Sequence, residues 1–128
     1  MELKTRRRAL LEYLCATAVT PSVLIAQQGD GMYGLIVKIK TAAGRRDEMI
    51  ALLKESAAGM SGCISYVVAK DAADEDTLWV TEVWDSAESH EASLSLPAVK
   101  SAVPRARPMV SAFERVAVTQ PVWNGGAR

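Results

Sequence analysis

From Met32 onward the apolar residues switch between a two-residue and a three-to-four-residue period, and the order of those periods constrains the fold more than anything else. "MYGLIVKIK" (32–40) is β-branched and alternates at its end, which predicts a strand. "AGRRDEMIALLKESAAGM" (43–60) spaces Met49, Leu52, Leu53, Ala57 and Met60 three and four apart, the stripe of an amphipathic helix. Asp47 and Glu48 sit in its first turns, where the helix dipole favours acids, and Gly59 and Gly62 flank its stop. "CISYVVAK" (63–70) and "TLWVTEVWD" (77–85) read as strands joined into a hairpin by the solvated turn "DAADED" (71–76). "SAESHEASLS" (86–95) is a short helix with Ser86 as its N-cap, expected to halt at Pro97. "AVKSAVPRA" holds a further helical turn broken at Pro104, and "MVSAFERVAV" (109–118) is the fourth strand. Strand, helix, strand, strand, helix, strand is the ferredoxin-like βαββαβ order, an α+β fold with helices over one face of a four-stranded antiparallel sheet.

The opposite face carries its own implication. In the third strand Leu78, Val80, Glu82 and Trp84 point one way, and Trp79, Thr81 and Val83 the other. In the first, Leu35, Val37 and Ile39 oppose Gly34 and Ile36. In the fourth, alternation sets Val110, Ala112, Val116 and Val118 against Met109 and Phe113. Both faces are substantially apolar, and one helical layer buries only one of them. The second face therefore calls for a partner sheet, and a homodimer is the expected solution.

Residues 1–31 differ from the rest. Lys4 and Arg6 to Arg8 give a basic start, followed by an apolar run from Tyr13 to Ala26. A run of about 14 residues is too short for a stable membrane span and suits a signal-peptide core. "RRALLE" (7–12) resembles the twin-arginine export signature, and Pro21 and Ala26 suit a cleavage region near residue 26, with Leu24 less apt at the third position before the cut. The expectation is an exported, periplasmic protein; the alternatives are an amphipathic N-terminal helix, or a cytoplasmic protein translated from Met32. Cleavage would remove four basic and two acidic residues from a balanced chain, leaving 11 basic against 13 acidic. Neither form has the basic surplus that attracts nucleic acid. With Cys15 and Cys63 the only cysteines, neither a disulfide framework nor a structural zinc site is expected. The tail after Val118, 119–128, reads as irregular.

Two motif matches fail on context. "GDGMYG" (29–34) satisfies GxGxxG by letter, but the dinucleotide motif follows a strand and opens a helix, whereas this one precedes a strand. "HEASL" (90–94) starts like a metalloprotease helix, yet the chain has only one histidine. What remains is the stretch from Trp79 to Ala102. Glu82 on an apolar strand face is costly to bury as an ion unless paired, and Arg115 of the fourth strand is a candidate partner. Trp84 is either a packing residue or an aromatic wall whose indole N–H orients a ligand. His90 is either a helix residue of no special role or a base or hydrogen-bond donor to an anionic substrate.

Taken together, "GCISYVVAKD", "TLWVTEVWDSAESHEASLSLPAVKSA" and "PMVSAFERV" resemble the antibiotic biosynthesis monooxygenase family over about Met32 to Val118. The match is strongest at Glu82, Trp84, Ser86 and His90, with Gly62 to Tyr66 as a second anchor. The resemblance implies a dimeric α+β barrel that oxygenates a quinol- or phenol-type or polyketide-like aromatic with O2, using no cofactor, neither metal nor flavin. By position it implies that Trp84 and His90 line the pocket with Arg105 or Arg107 binding substrate; beside it, the expected catalytic set is His90, Trp84 and, as their orienting or charge-setting neighbour, Glu82, with the Tyr66 hydroxyl as a further substrate-binding group. Val80 stands where the family carries an asparagine, and Ser93 where many relatives carry a second histidine. Leu94 occupies the position at which haem-degrading relatives place histidine, which disfavours that chemistry. The alternatives are a dimer that binds a small aromatic or aldehyde without turnover, as in stress-response proteins, and an isomerase of a small carbonyl compound.

Overall fold

The computed structural model describes residues 31–125. The export-signal expectation falls on residues 1–30, outside the described residues. Strand β1 (Tyr33–Thr41) is followed by helix α1 (Arg46–Ser56) and by strands β2 (Cys63–Lys70) and β3 (Thr77–Trp84). Helices α2 (Ala87–Ser93) and α3 (Pro97–Ala106), a 3-10 turn (Arg107–Met109) and strand β4 (Val110–Thr119) complete the order. The strands lie β2-β3-β1-β4, all neighbours antiparallel, which is the ferredoxin-like α+β arrangement.

The core is the sheet's inner face against the helices. Leu35, Val37, Ile39, Leu78, Val80 and Trp84 meet Met49, Leu52 and Leu53 of α1 and Ala102 and Ala106 of α3. Helix α1 is shorter than its apolar period suggested because Gly44 and Gly59, with φ of 77° and 74°, turn the chain at either side. Ser86 caps α2 as expected, accepting a hydrogen bond from the Ser89 N–H.

The segment after α2 requires correction. Pro97 opens a helix rather than merely closing one, and that helix runs ten residues with Pro104 inside it. Pro at the first helical position costs nothing, since its missing N–H would be an orphan there. Pro104 removes one bond near the C-terminal end. The buried stripe Val99, Ala102, Val103 and Ala106 outweighs that loss.

Strand β4 also departs from simple alternation. Its ladder with β1 slips twice, leaving Ser111 and Val116 as extra residues. The Ser111 hydroxyl donates to the Lys40 and Thr41 carbonyls at the first slip. The inner face of β4 is thus Val110, Phe113, Arg115 and Val118, and Ala112 faces outward. The "solvated" turn 71–76 is internally tied. Asp71 accepts hydrogen bonds from the Ala73 and Asp74 N–H groups and the Trp79 indole, while Asp74 accepts from Lys40, Thr77 and the Asp76 N–H.

Among the described residues no helix is long and apolar enough to cross a membrane. The outer sheet face carries Ile36, Trp79 and Val83 half-buried and Val67 51% exposed. Lys38 Nζ lies 5.4 Å over the Trp79 ring.

Candidate functional site

At the end of the sheet where β1 begins and β3 ends, strand register brings one row of inner-face residues together. Tyr33 pairs with Trp84, which pairs with Cys63; one step along, Leu35 pairs with Glu82, which pairs with Tyr66. Helix α2 follows β3 after a two-residue link and lays His90 over this row. The His90 ring sits 5.2 Å from Tyr33 and 5.4 Å, edge-on, from Trp84.

Glu82 is only 2% exposed, the most buried charged side chain among the described residues. The Trp84 indole N–H donates to Glu82 Oε2 at 2.8 Å, two residues along the same strand face. His90 Nε2 lies 3.7 Å from the same oxygen, beyond hydrogen-bonding reach. Burial, with the positive charge of Arg115 as a second cause, lowers the His90 pKa from 6.5 to about 4. At neutral pH burial therefore favours the neutral imidazole of His90, beside the Glu82 carboxyl group. Burial also raises the Tyr66 phenol well above its ordinary value, and Glu82 adds to the rise. Tyr33 is raised by burial, offset in part by Arg115. The Cys63 thiol is likewise pushed up by burial.

Glu82, Trp84, His90 and Tyr66, all singled out in the sequence, thus stand in one cluster. Arg105 stands elsewhere: on α3 it makes a two-pronged, exposed fork to Glu55 of α1, both contacts at 3.1 Å. Arg107 is exposed on the 3-10 turn. Val80 is buried core and offers no hydrogen bond, and the Ser93 hydroxyl donates to the His90 carbonyl at 2.6 Å. Tyr33 was missed, although it continues the parity of Leu35, Val37 and Ile39 and could have been placed by it. Gly34, the last glycine of the GxGxxG match, serves packing: a Cβ there would collide with Thr119 and Pro121. Among the described residues no group of three His, Cys, Asp or Glu could hold a metal ion. A cleft of about 270 Å³ at the other end of the sheet is lined by Gly44, Arg46, Asp47, Glu75 and Asp76 and contains none of the expected site residues.

The family model for antibiotic biosynthesis monooxygenases matches residues 32–105, more than half of the chain. The chain belongs to that family. A solved Chloroflexus aurantiacus protein bearing the same family name is 52% identical, over 76% of this chain and 99% of its own, with a TM-score of 0.73. Two more distant structures share the family fold. One, from Bacteroides thetaiotaomicron and described as a possible oxidoreductase, is 20% identical, covering 73% of this chain and 100% of its own, with a TM-score of 0.65. The other, from Nitrosomonas europaea and named for the same family, is 10% identical, covering 77% and 97%, with a TM-score of 0.69. No curated protein matches the chain.

Proposed function

We propose that this family member is a cofactor-independent monooxygenase of quinol- or phenol-type aromatics, working at the Glu82–Trp84–His90 cluster. The observation that carries the reading is a neutral, buried imidazole walled by two aromatic rings, with a buried carboxylate 3.7 Å away. Removing the hydroxyl proton makes the aromatic electron-rich enough to reduce O2 directly. One oxygen atom enters the ring, the other leaves as water with two hydrogens from the substrate, and the substrate supplies all four electrons. His90 accepts the proton, or donates its N–H to the anion, while Glu82 offsets the charge of a transient imidazolium and holds the Trp84 indole. The Trp84 and Tyr33 rings exclude water from the intermediate. Tyr66 is positioned as a protonated hydroxyl on the neighbouring strand.

Oxygen uptake by metal-stripped protein with hydroquinones and anthrones tests this reading, with His90→Ala run beside the wild type. Uptake above autoxidation that survives chelation and falls in the variant supports it. Uptake at background with every substrate refutes it. A second reading, a dimer that binds a small aromatic without turnover, draws on the apolar Val80 and on Ser93, whose hydroxyl is committed to the helix backbone. It predicts saturable binding and no oxygen consumption.

Two further parts belong to the proposal. The outer sheet face, with Val67, Ile36, Trp79 and Val83, is the surface of a homodimer; sedimentation velocity of wild type and Val67→Glu tests it, a monomeric wild type refuting it. The N-terminal segment directs export, with cleavage near residue 26.

A further inference from the structure

Tyr33 brings more than a ring to the site. Strand parity turns it inward with Leu35, Val37 and Ile39, and pairing with Trp84 sets it beside the cluster. Its ring lies 5.2 Å from that of His90, tilted by 35°. The residue is only 9% exposed, yet its hydroxyl has no hydrogen-bond partner among the described residues. Buried tyrosine hydroxyls ordinarily find one. Neighbouring donors do: the Trp84 indole N–H donates to Glu82, and the Ser93 hydroxyl donates to the His90 carbonyl. The Tyr33 oxygen is not sealed off either, so a bound molecule can reach it. A ring needed only for packing would be as well served by phenylalanine, which has no hydroxyl to desolvate. We infer that Tyr33 is a substrate-binding residue whose hydroxyl donates to the reacting oxygen of the aromatic, and that it selects ligands carrying a phenolic hydroxyl.

This role rests on the monooxygenase reading of the same site and adds to it the group that holds the oxygen. A phenolic hydroxyl has one proton to give and lone pairs with which to accept. His90 takes the proton in that reading, so a second group must donate to the oxygen as negative charge develops on it. The Trp84 indole is committed to Glu82, and the Ser93 hydroxyl to the helix backbone. The Tyr33 hydroxyl is uncommitted. Burial keeps it protonated by raising its pKa, with Arg115 offsetting part of the rise and Glu82 adding to it. Tyr33 packs on His90 directly, whereas Tyr66 lies across β3, opposite Glu82.

The probes are p-cresol, a phenol, and p-xylene, its isostere with methyl in place of hydroxyl, both titrated by calorimetry near neutral pH. His90→Ala and Trp84→Phe mark the site. Wild type should bind p-cresol more tightly than p-xylene. Tyr33→Phe keeps the ring and removes only the oxygen. It should weaken p-cresol binding about three- to tenfold, leave p-xylene binding unchanged, and keep the thermal midpoint at or above that of the wild type. Unchanged p-cresol binding in Tyr33→Phe, with binding still sensitive to His90→Ala, overturns the role of Tyr33 and leaves the site standing. Equal binding of the two probes by wild type overturns the selection for a hydroxyl. Equal weakening of both probes in Tyr33→Phe, or a lowered midpoint, also overturns the role, since either marks the hydroxyl as structural. Absence of p-cresol binding by wild type, or binding indifferent to His90→Ala and Trp84→Phe, overturns the site reading and this inference together.

Discussion

Acidification should destabilise the protein through His90 in a way that a variant without an imidazole does not share. In the unfolded chain His90 titrates near 6.5, while in the fold burial holds it to about 4. Between those values the unfolded chain binds the proton and the folded one does not, so falling pH favours unfolding. The stabilisation is fully present above the unfolded value and is lost as pH falls through the folded one. At about 1.4 kcal/mol for each tenfold change in proton affinity, the full effect is about 3 kcal/mol, of which about 2 kcal/mol is gone by about pH 5. Glu82, Arg115 and Tyr33 face the same ring, so the wild type alone would mix several titrations. The difference between wild type and His90→Gln in urea unfolding, taken at steps from neutral pH down to about pH 4, isolates the histidine. The expected result is a wild-type advantage that shrinks steadily on acidification. A flat difference, or one that grows as pH falls, would refute a neutral, desolvated His90 and with it the proposed base.

Other expectations follow from the same geometry. Trp84→Phe removes the indole donor to the buried Glu82 Oε2 and should cost about 1–3 kcal/mol in denaturant unfolding, with the indole's aromatic wall largely kept. Gly62→Ala should lower the thermal midpoint and perturb α2. Its φ is 82°, and a Cβ there would lie 2.6 Å from Ser89 Cβ and 2.8 Å from Asp85 Oδ1. An unchanged midpoint would mean that the loop yields without disturbing the helix carrying His90. Arg105→Ala opens only an exposed fork and should barely alter thermal stability or phenol binding; a large loss of binding would return Arg105 to the site. Arg7→Lys with Arg8→Lys should retain the protein in the cytoplasm, whereas the exported wild type should begin near Gln27 by mass spectrometry of its N-terminus.

The alternating and helical periods were legible from Met32 onward because each reports a single element's exposure to one core. Strand β2 therefore matches its expected bounds, and the inward set Leu78, Val80, Glu82 and Trp84 is the buried set. Placing Glu82, Trp84 and His90 together needed only strand parity and a short link to α2. Local pattern could not report competition between distant segments. Helix α3 continues through Pro104 because burying Val99, Ala102, Val103 and Ala106 outweighs one missing hydrogen bond. The separation of Arg105 from the cluster depends on Glu55, fifty positions earlier in the chain. The core face of β4 depends on two slips in pairing with β1, at Ser111 and Val116, and no one-residue bulge is written in the alternation of β4 alone. The sequence by itself determined the order of elements, the family and the residue types at the site. The tertiary structure decided which residues of β4 share the core face, because the direction of a side chain on an edge strand is set by the neighbour with which it pairs.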